Sequence, residues 1–233
     1  MSIAWHPEGI GLAVAERDNY VYVYDLRKVL KNTKASSRTT VIGEPIIRQS
    51  LRPGVVTECH FSPTGQHLVA TVRAQNGMGN IKIWDCDFYK EQEHPSTSCT
   101  FIGHTSSIYC LDFAPCRTRL ATGGADALVG LWDLEEMTCT GTVGRLNQFI
   151  RSVSFSHDSS ILASSSSERY IDIANACNGE KVGHIETKFG SDEISFNPKS
   201  YTLAYASNIP KDANNRDNRI SFMSVAKLSL KET

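Results

Sequence analysis

Long apolar runs and a surplus of positive charge are both missing from this sequence of 233 residues. No run approaches the roughly 20 apolar residues that a membrane-spanning helix requires. Lysine and arginine number 24 against 25 aspartate and glutamate, and this net charge of −1 disfavours an electrostatic nucleic-acid binder. The first residues carry neither the basic nor the apolar region of a signal peptide, and no glycosylation sequon is present. We therefore expect a protein that works inside the cell.

The motifs of common catalytic and metal sites are missing as well. The seven cysteines never stand in a C-x-x-C spacing, which disfavours a zinc site or a redox motif. Cys110 alternates with strand residues and is interpreted as a small buried hydrophobe. The nucleophile elbow G-x-S-x-G, the metal motif H-E-x-x-H and the Gly-Lys-Ser/Thr of a phosphate loop do not occur. We expect no catalytic residues, no metal and no cofactor.

Helical periodicity is scarce, and period-2 alternation takes its place. No segment keeps an apolar stripe at helical spacing over three turns, and the nearest approach, Leu26 to Leu30, is short. Alternating segments such as 150–155 recur along the chain, and each is followed by turn residues such as Pro63-Thr64-Gly65. The sequence therefore predicts an all-β fold.

One pattern occurs five times: an aromatic residue, a polar or small residue, and then a turn residue. Its third positions are residues 7, 63, 115, 157 and 198, which lie 56, 52, 42 and 41 residues apart. Units of about 40–45 residues are typical of four-stranded propeller blades, and the two larger spacings indicate insertions. Each occurrence lies between a predicted first strand and two more strands. A fourth, outer strand is predicted at Cys99–Ile102, Cys139–Val143 and Val182–Ile185.

The stretch from Gly103 to Asp133 is the most informative repeat. It opens on Gly-His and closes on Trp-Asp about thirty residues later, which is the signature of one WD-repeat blade. The chain is thus similar to the WD-repeat family, whose β-propellers consist of four-stranded blades. His104, Asp126 and a hydroxyl such as that of Thr122 have the residue types of a nucleophilic triad. The resemblance implies instead that they form an internal network of hydrogen bonds around the Trp indole. The residues assigned to this structural network are His104, Thr122, Asp126, Trp132, Asp133, Trp84 and Asp85.

A closer resemblance is concentrated between Phe101 and Gly183. Its cues are Ala125–Val129 ahead of Leu131-Trp132-Asp133, the run Arg151–Asp158, and the degenerate Tyr170–Ala174, which ends without Trp-Asp. In these features the chain resembles the WD-repeat subunits of the THO complex. The resemblance implies a non-enzymatic nuclear scaffold that binds other THO/TREX subunits and associates indirectly with messenger RNA during its processing and export. The resemblance implies neither association with a membrane nor binding of a small-molecule substrate.

The repeats divide a single predicted propeller domain into five blades, at residues 1–50, 51–102, 103–146, 147–188 and 189–233. The resembled family has seven blades. A propeller closes by pairing strands from its two ends, so missing blades leave open flanks. We favour two further blades ahead of residue 1 over the alternative, a five-bladed ring that closes on its own.

Three insertions, at 27–49, 73–80 and 207–219, are predicted to be surface loops. The first is basic and is the best candidate for contact with RNA or an acidic partner, through Arg27, Lys28, Lys31, Lys34 and Arg38. No aromatic residues interleave these charges for base stacking, so we prefer a solvated loop. Because a fold does not fix a function, two alternatives stay open. They are a directly RNA-binding propeller and an adaptor of another complex, such as a ubiquitin-ligase substrate receptor.

Overall fold

A computed structural model of the chain describes residues 2–16, 19–31, 44–52, 54–86, 88, 97–208 and 221–227, with the backbone alone at 29–31, 97, 98, 208 and 221–227. These residues form nineteen β-strands and one short helix, which confirms the all-β prediction. Within the described ranges, no helix is long and apolar enough to cross a membrane. The chain divides into two compact units, Met1–Ser107 and Ile108–Thr233.

The first unit contains two antiparallel sheets of four strands, each strand paired with the next along the chain. The strands of the first sheet are β1 (Ser2–Trp5), β2 (Gly11–Ala15), β3 (Tyr20–Asp25) and β4 (Ile47–Ser50), with helix α1 (Leu26–Lys31) between β3 and β4. Those of the second sheet are β5 (Val55–Phe61), β6 (His67–Arg73), β7 (Gly79–Asp85) and β8 (Thr97–His104). Strands β1 and β5 lie side by side. The two sheets bury one shared core, which includes Ala13 and Val23 from the first and Phe61 and Trp84 from the second.

The second unit repeats this construction three times. Its strands are β9 (Ile108–Phe113), β10 (Arg119–Gly124), β11 (Val129–Asp133), β12 (Thr138–Val143), β13 (Ser152–Phe155), β14 (Ile161–Ser165), β15 (Tyr170–Asn175), β16 (Lys181–Glu186), β17 (Ser191–Phe196), β18 (Thr202–Asn208) and β19 (Ser221–Lys227). They form the third and fourth sheets, with four strands each, and the fifth, with three among the described residues. First strands again adjoin, with β13 packed between β9 and β17. Consecutive sheets joined in this way are the blades of a partial WD β-propeller.

The predicted strands of all five repeats are present, and the three predicted outer strands lie in β8, β12 and β16. In the turn between β5 and β6, Gly65 has a φ of 75°, a backbone region that favours glycine. The assignment of all five blades to one propeller, with the ranges given above, stays a prediction.

The prediction of a surface loop over residues 27–49 is wrong at both ends. Residues up to Lys31 belong to α1, and Ile47–Ser50 form the outer strand of the first sheet. Ile47 pairs with Val23 and is buried, so it anchors this strand in the core. A strand of four residues with one buried side chain has too short an alternating pattern to be distinguished from a loop in the sequence. Residues 32–43 lie outside the described residues.

The other two insertions differ in how much of them the structure describes. In the insertion at 73–80, Arg73 ends β6 and Gly79 and Asn80 begin β7, so only residues 74–78 form the turn between the two strands. In the insertion at 207–219, the first two residues extend β18, and the rest lies outside the described residues.

Candidate docking site

The third sheet contains one link of the predicted network. The Trp132 indole Nε1 donates a hydrogen bond of 2.8 Å to the Thr122 hydroxyl, and both side chains are buried. Thr122 lies opposite Gly130 in the register of β10 and β11. A Cβ atom at Gly130 would lie 2.8 Å from the indole nitrogen, so glycine is what lets the ring lie across the strand. The hydrogen bond joins the second and third strands and gives the buried indole a partner.

Of the remaining network residues of this repeat, two stabilise turns of the third sheet and one belongs to the first unit. Asp126 accepts the Leu128 amide at 3.3 Å in the turn between β10 and β11. Asp133 accepts the amides of Glu135 and Glu136 and so stabilises the turn after β11. His104 is buried at the end of β8, in the first unit. The combined network stays a prediction.

The second sheet lacks the equivalent of the Trp132–Thr122 bond. Trp84 is buried, and its indole nitrogen has no hydrogen-bond partner among the described residues. The register explains this, because Ala70 stands where the third sheet has Thr122. Asp85 lies 3.3 Å from His67, on a half-exposed surface. The Trp84-Asp85 pair therefore ends the third strand of this sheet, but its indole does not form the hydrogen bond to the second strand that Trp132 forms in the third sheet.

The fourth sheet replaces the tryptophan bracing with an ion pair. Asp172 and Ala174 occupy the register positions of Gly130 and Trp132. Arg145, which follows β12, donates to both carboxylate oxygens of Asp172 at 2.8 and 2.7 Å and to the Gly179 carbonyl at 2.7 Å. Asp172 is 1% exposed and the Arg145 side chain 28%, so the carboxylate of this bidentate pair is shielded from water and the guanidinium only in part. The structure thus ties the connection after the third sheet to the third strand of the fourth.

The basic insertion begins with an arginine that the structure uses internally. Arg27 donates to both carboxylate oxygens of Asp25, at 3.0 and 2.9 Å, and to the Phe88 carbonyl at 2.8 Å. These hydrogen bonds hold the pKa of the buried Asp25 carboxyl below its usual range. Lys28 is exposed. The Lys31 side chain, Lys34 and Arg38 lie outside the described residues. Contact of this insertion with RNA or an acidic partner stays a prediction.

We expect the Arg27→Ala variant to lose about 1–2 kcal/mol of unfolding free energy at pH 7, because it leaves the Asp25 carboxylate buried beside one partner fewer. The depressed pKa of Asp25 stabilises the fold above the ordinary aspartate pKa, near 3.9. That contribution disappears as the pH falls through the lower pKa of the folded state. The difference between wild type and variant should therefore shrink under acid conditions, measured by urea unfolding across pH. Lys28→Ala is the control, and an equal loss in both variants would contradict the pairing.

The structure also contains an exposed aromatic pair that the sequence patterns do not indicate. The rings of Tyr109, in β9, and Phe149, in the connection to β13, lie 6.0 Å apart at 48°, and the two residues are 40% and 49% exposed. The exposed Arg151 follows two residues later. Clustered exposed aromatic and arginine side chains are the composition found at the centres of protein interfaces. Phe149 falls between two predicted strands, and nothing in the alternation shows which way its ring points.

The cysteines are all free thiols. Cys110 is buried, as the alternation predicted. Burial also raises the pKa of the Cys59 thiol to about 11. Among the described residues, no cluster of three or more His, Cys, Asp and Glu side chains is placed to hold a metal ion.

Two segments of the chain, residues 95–133 and 137–173, match the WD domain, G-beta repeat family. The chain therefore contains WD40 repeats. It is 29% identical over 206 residues to THO complex subunit 3 of Arabidopsis thaliana, an alignment that covers 88% of this chain and 58% of the relative. It is 32% identical over 219 residues to WD repeat-containing protein AAC3 of Dictyostelium discoideum, covering 93% of this chain and 41% of the relative. The chain thus spans about half the length of these relatives.

Proposed function

We propose that this chain is a non-catalytic scaffold subunit of the THO complex, acting in the nucleus in the processing and export of messenger RNA through protein–protein docking. The observation that carries the proposal is the similarity to THO complex subunit 3 across 88% of the chain. WD40-repeat proteins mediate protein–protein interactions, and their partners bind exposed loops and rims.

The use of polar side chains supports a structural role. Thr122 and Asp172 are buried, and their oxygen atoms accept hydrogen bonds from the side chains of Trp132 and Arg145. Asp158 is exposed but is also used internally: partial desolvation opposes its ionisation, yet the Ser156 and Tyr201 hydroxyls, which donate to it at 2.6 Å each, outweigh that effect and hold its pKa far below the usual range. These groups connect strands and sheets.

The aromatic pair of Tyr109 and Phe149 is the docking site that we assign to this function. Tyr109 is the second residue of β9, and Phe149 lies three residues before the start of β13. Burying an aromatic ring on binding removes a large apolar area from water, and the neighbouring Arg151 supplies donors for a partner's carboxylate or carbonyl oxygens. Aromatic and arginine side chains dominate the energy of most interfaces.

The test is affinity capture from nuclear extract with the tagged chain and its Tyr109→Ser/Phe149→Ser variant. We expect wild type to recover THO subunits and the double variant to bind them at least about 30-fold more weakly, since even one truncated hot spot costs about 2 kcal/mol. Val182→Ser is the matched control, because Val182 is 47% exposed on the outer strand of the fourth sheet. Thermal unfolding of all three proteins checks that each is folded.

Two outcomes would contradict different parts of the proposal. Recovery of ubiquitin-ligase subunits without THO subunits would overturn membership of the THO complex. Equal recovery of THO subunits by wild type and the double variant would leave membership intact and overturn the aromatic pair as its docking site.

A further inference from the structure

Three connecting segments lie at one end of the fourth sheet, because its strands alternate in direction and every second connection falls at the same end. The segments are residues 144–151, 166–169 and 187–190. Backbone hydrogen bonds hold them in place. The Arg151 amide donates to the Ser165 carbonyl, and the Thr187 amide donates to the Arg169 carbonyl, at 2.8 Å each. The side chains that these segments expose are therefore attached to a fixed backbone.

Each of the three segments exposes one basic side chain. These are Arg151, Arg169 and Lys188. Among the described residues, none of the three forms an ion pair or a side-chain hydrogen bond, and the Lys188 Nζ lies 5.6 Å from the centre of the neighbouring Phe189 ring. Arg145, on the first segment, differs because it is bound to Asp172. Three cations at this end of the sheet are thus available to a ligand.

The acidic residues at the same end already have partners. Glu168 accepts the backbone amide and the side-chain amide of Asn147, at 3.2 Å each. Asp126, in the adjacent turn of the third sheet, accepts a backbone amide at 3.3 Å. Asp192 and Glu193, at the start of β17, have interactions of their own. Among the described residues of this surface, the charges without a partner are therefore all positive.

The three cations are continuous with the exposed aromatic pair. Phe149 and Arg151 are both exposed and lie on one segment, and Ile150 between them is buried. The two exposed side chains therefore flank the point where the segment enters the core. The Tyr109 ring lies 6.0 Å from that of Phe149. The basic-aromatic surface, as we name it, consists of Tyr109, Phe149, Arg151, Arg169 and Lys188.

We propose that the basic-aromatic surface binds an acidic, extended segment of a partner protein. An apolar side chain of that segment contacts the two aromatic rings, and its carboxylates contact the three cations. The inference rests on the docking function proposed above and adds the chemistry of what is docked. Arginine binds carboxylates bidentately, and complementary charge raises the specificity and the rate of association. Because the backbone of the surface is already ordered, binding has little of it left to immobilise.

Charge also favours an acidic protein segment over nucleic acid at this surface. Nucleic-acid binding draws on many phosphate contacts, which a chain with a net charge of −1 does not offer. The ring centres of Tyr109 and Phe149 are 6.0 Å apart and the rings are inclined at 48°, so no base is sandwiched between them. Three cations beside one apolar contact match a few carboxylates and one apolar side chain.

Fluorescence anisotropy with three labelled probes tests the chemistry directly. The first probe is a synthetic peptide with two adjacent leucines flanked by glutamates, the second has glutamine in place of each glutamate, and the third is an oligouridine RNA. We expect wild type to bind the glutamate peptide at least about ten-fold more tightly than the glutamine peptide, since three exposed ion pairs contribute up to about 1 kcal/mol each. Binding of the RNA should be weaker than that of the glutamate peptide.

Two charge-reversed variants locate the binding. Arg169→Glu/Lys188→Glu should abolish the preference for the glutamate peptide. Lys181→Glu/Lys199→Glu is the matched control, because it changes the net charge equally through exposed residues at the opposite ends of the fourth and fifth sheets, and it should bind as wild type does. Thermal unfolding checks that both variants are folded.

Three outcomes would overturn the acidic segment. They are a wild type that does not prefer the glutamate peptide, an equal loss of binding in both charge-reversed variants, and RNA that binds more tightly than either peptide and is released by Arg169→Glu/Lys188→Glu. The last result would assign the surface to nucleic acid. None of the probes contains a THO subunit, so these failures leave membership of the THO complex to the affinity capture described above.

Discussion

Replacing Asp172 by alanine is expected to lower the free energy of unfolding by about 2–3 kcal/mol, less than for a fully buried ion pair because the Arg145 side chain that is left behind is 28% exposed. The Arg145 guanidinium would keep its hydrogen bond to the Gly179 carbonyl but lose both carboxylate oxygens. Chemical denaturation at neutral pH, with the variant and wild type measured side by side, gives the difference.

The matched control removes both charges. In the double variant Arg145→Met/Asp172→Leu no charge is left unpaired, and we expect most of the lost stability to return, since apolar pairs of similar volume often replace buried ion pairs at little cost. Loss of stability that is equal in the single and double variants would show that packing at this position, and not the ion pair, determines the stability.

The repeat pattern was enough to predict the sheets but not how each sheet is braced. Alternation and turn residues depend on neighbours along the chain, so strands such as 150–155 are visible in the sequence. The side-chain interactions that brace a sheet depend on residues that lie opposite each other on paired strands and are distant in the sequence. Trp84 and Trp132 look equivalent in the sequence, yet Ala70 opposite one and Thr122 opposite the other give their indoles different environments.

The candidate docking sites show the same limit. The basic insertion was conspicuous in the sequence, but the structure uses its first residue, Arg27, to neutralise Asp25. The aromatic pair was inconspicuous, because Tyr109 and Phe149 are separated by 39 intervening residues and come together only when β9 and β13 lie side by side. Exposure of a side chain is a property of the packed sheets, and a single sequence does not contain it.

Aromatic residues at one register position differ in exposure from sheet to sheet. Phe155 lies under the third sheet in a core with Leu131 and Val143, whereas Trp5, its counterpart in the first sheet, is largely exposed. The backbone geometry is shared, so the energetic difference between the two positions comes from what covers them.

This difference gives the second large prediction. Phe155→Ala should lower the free energy of unfolding by about 3–5 kcal/mol, because it removes a buried ring and leaves a cavity beside Leu131. Trp5→Ala should change it by about 0.5 kcal/mol or less, as an exposed substitution does. Urea unfolding of both variants under identical conditions makes the comparison. An equal loss of stability in Trp5→Ala and Phe155→Ala would show that exposure does not account for the energetic difference between these two positions.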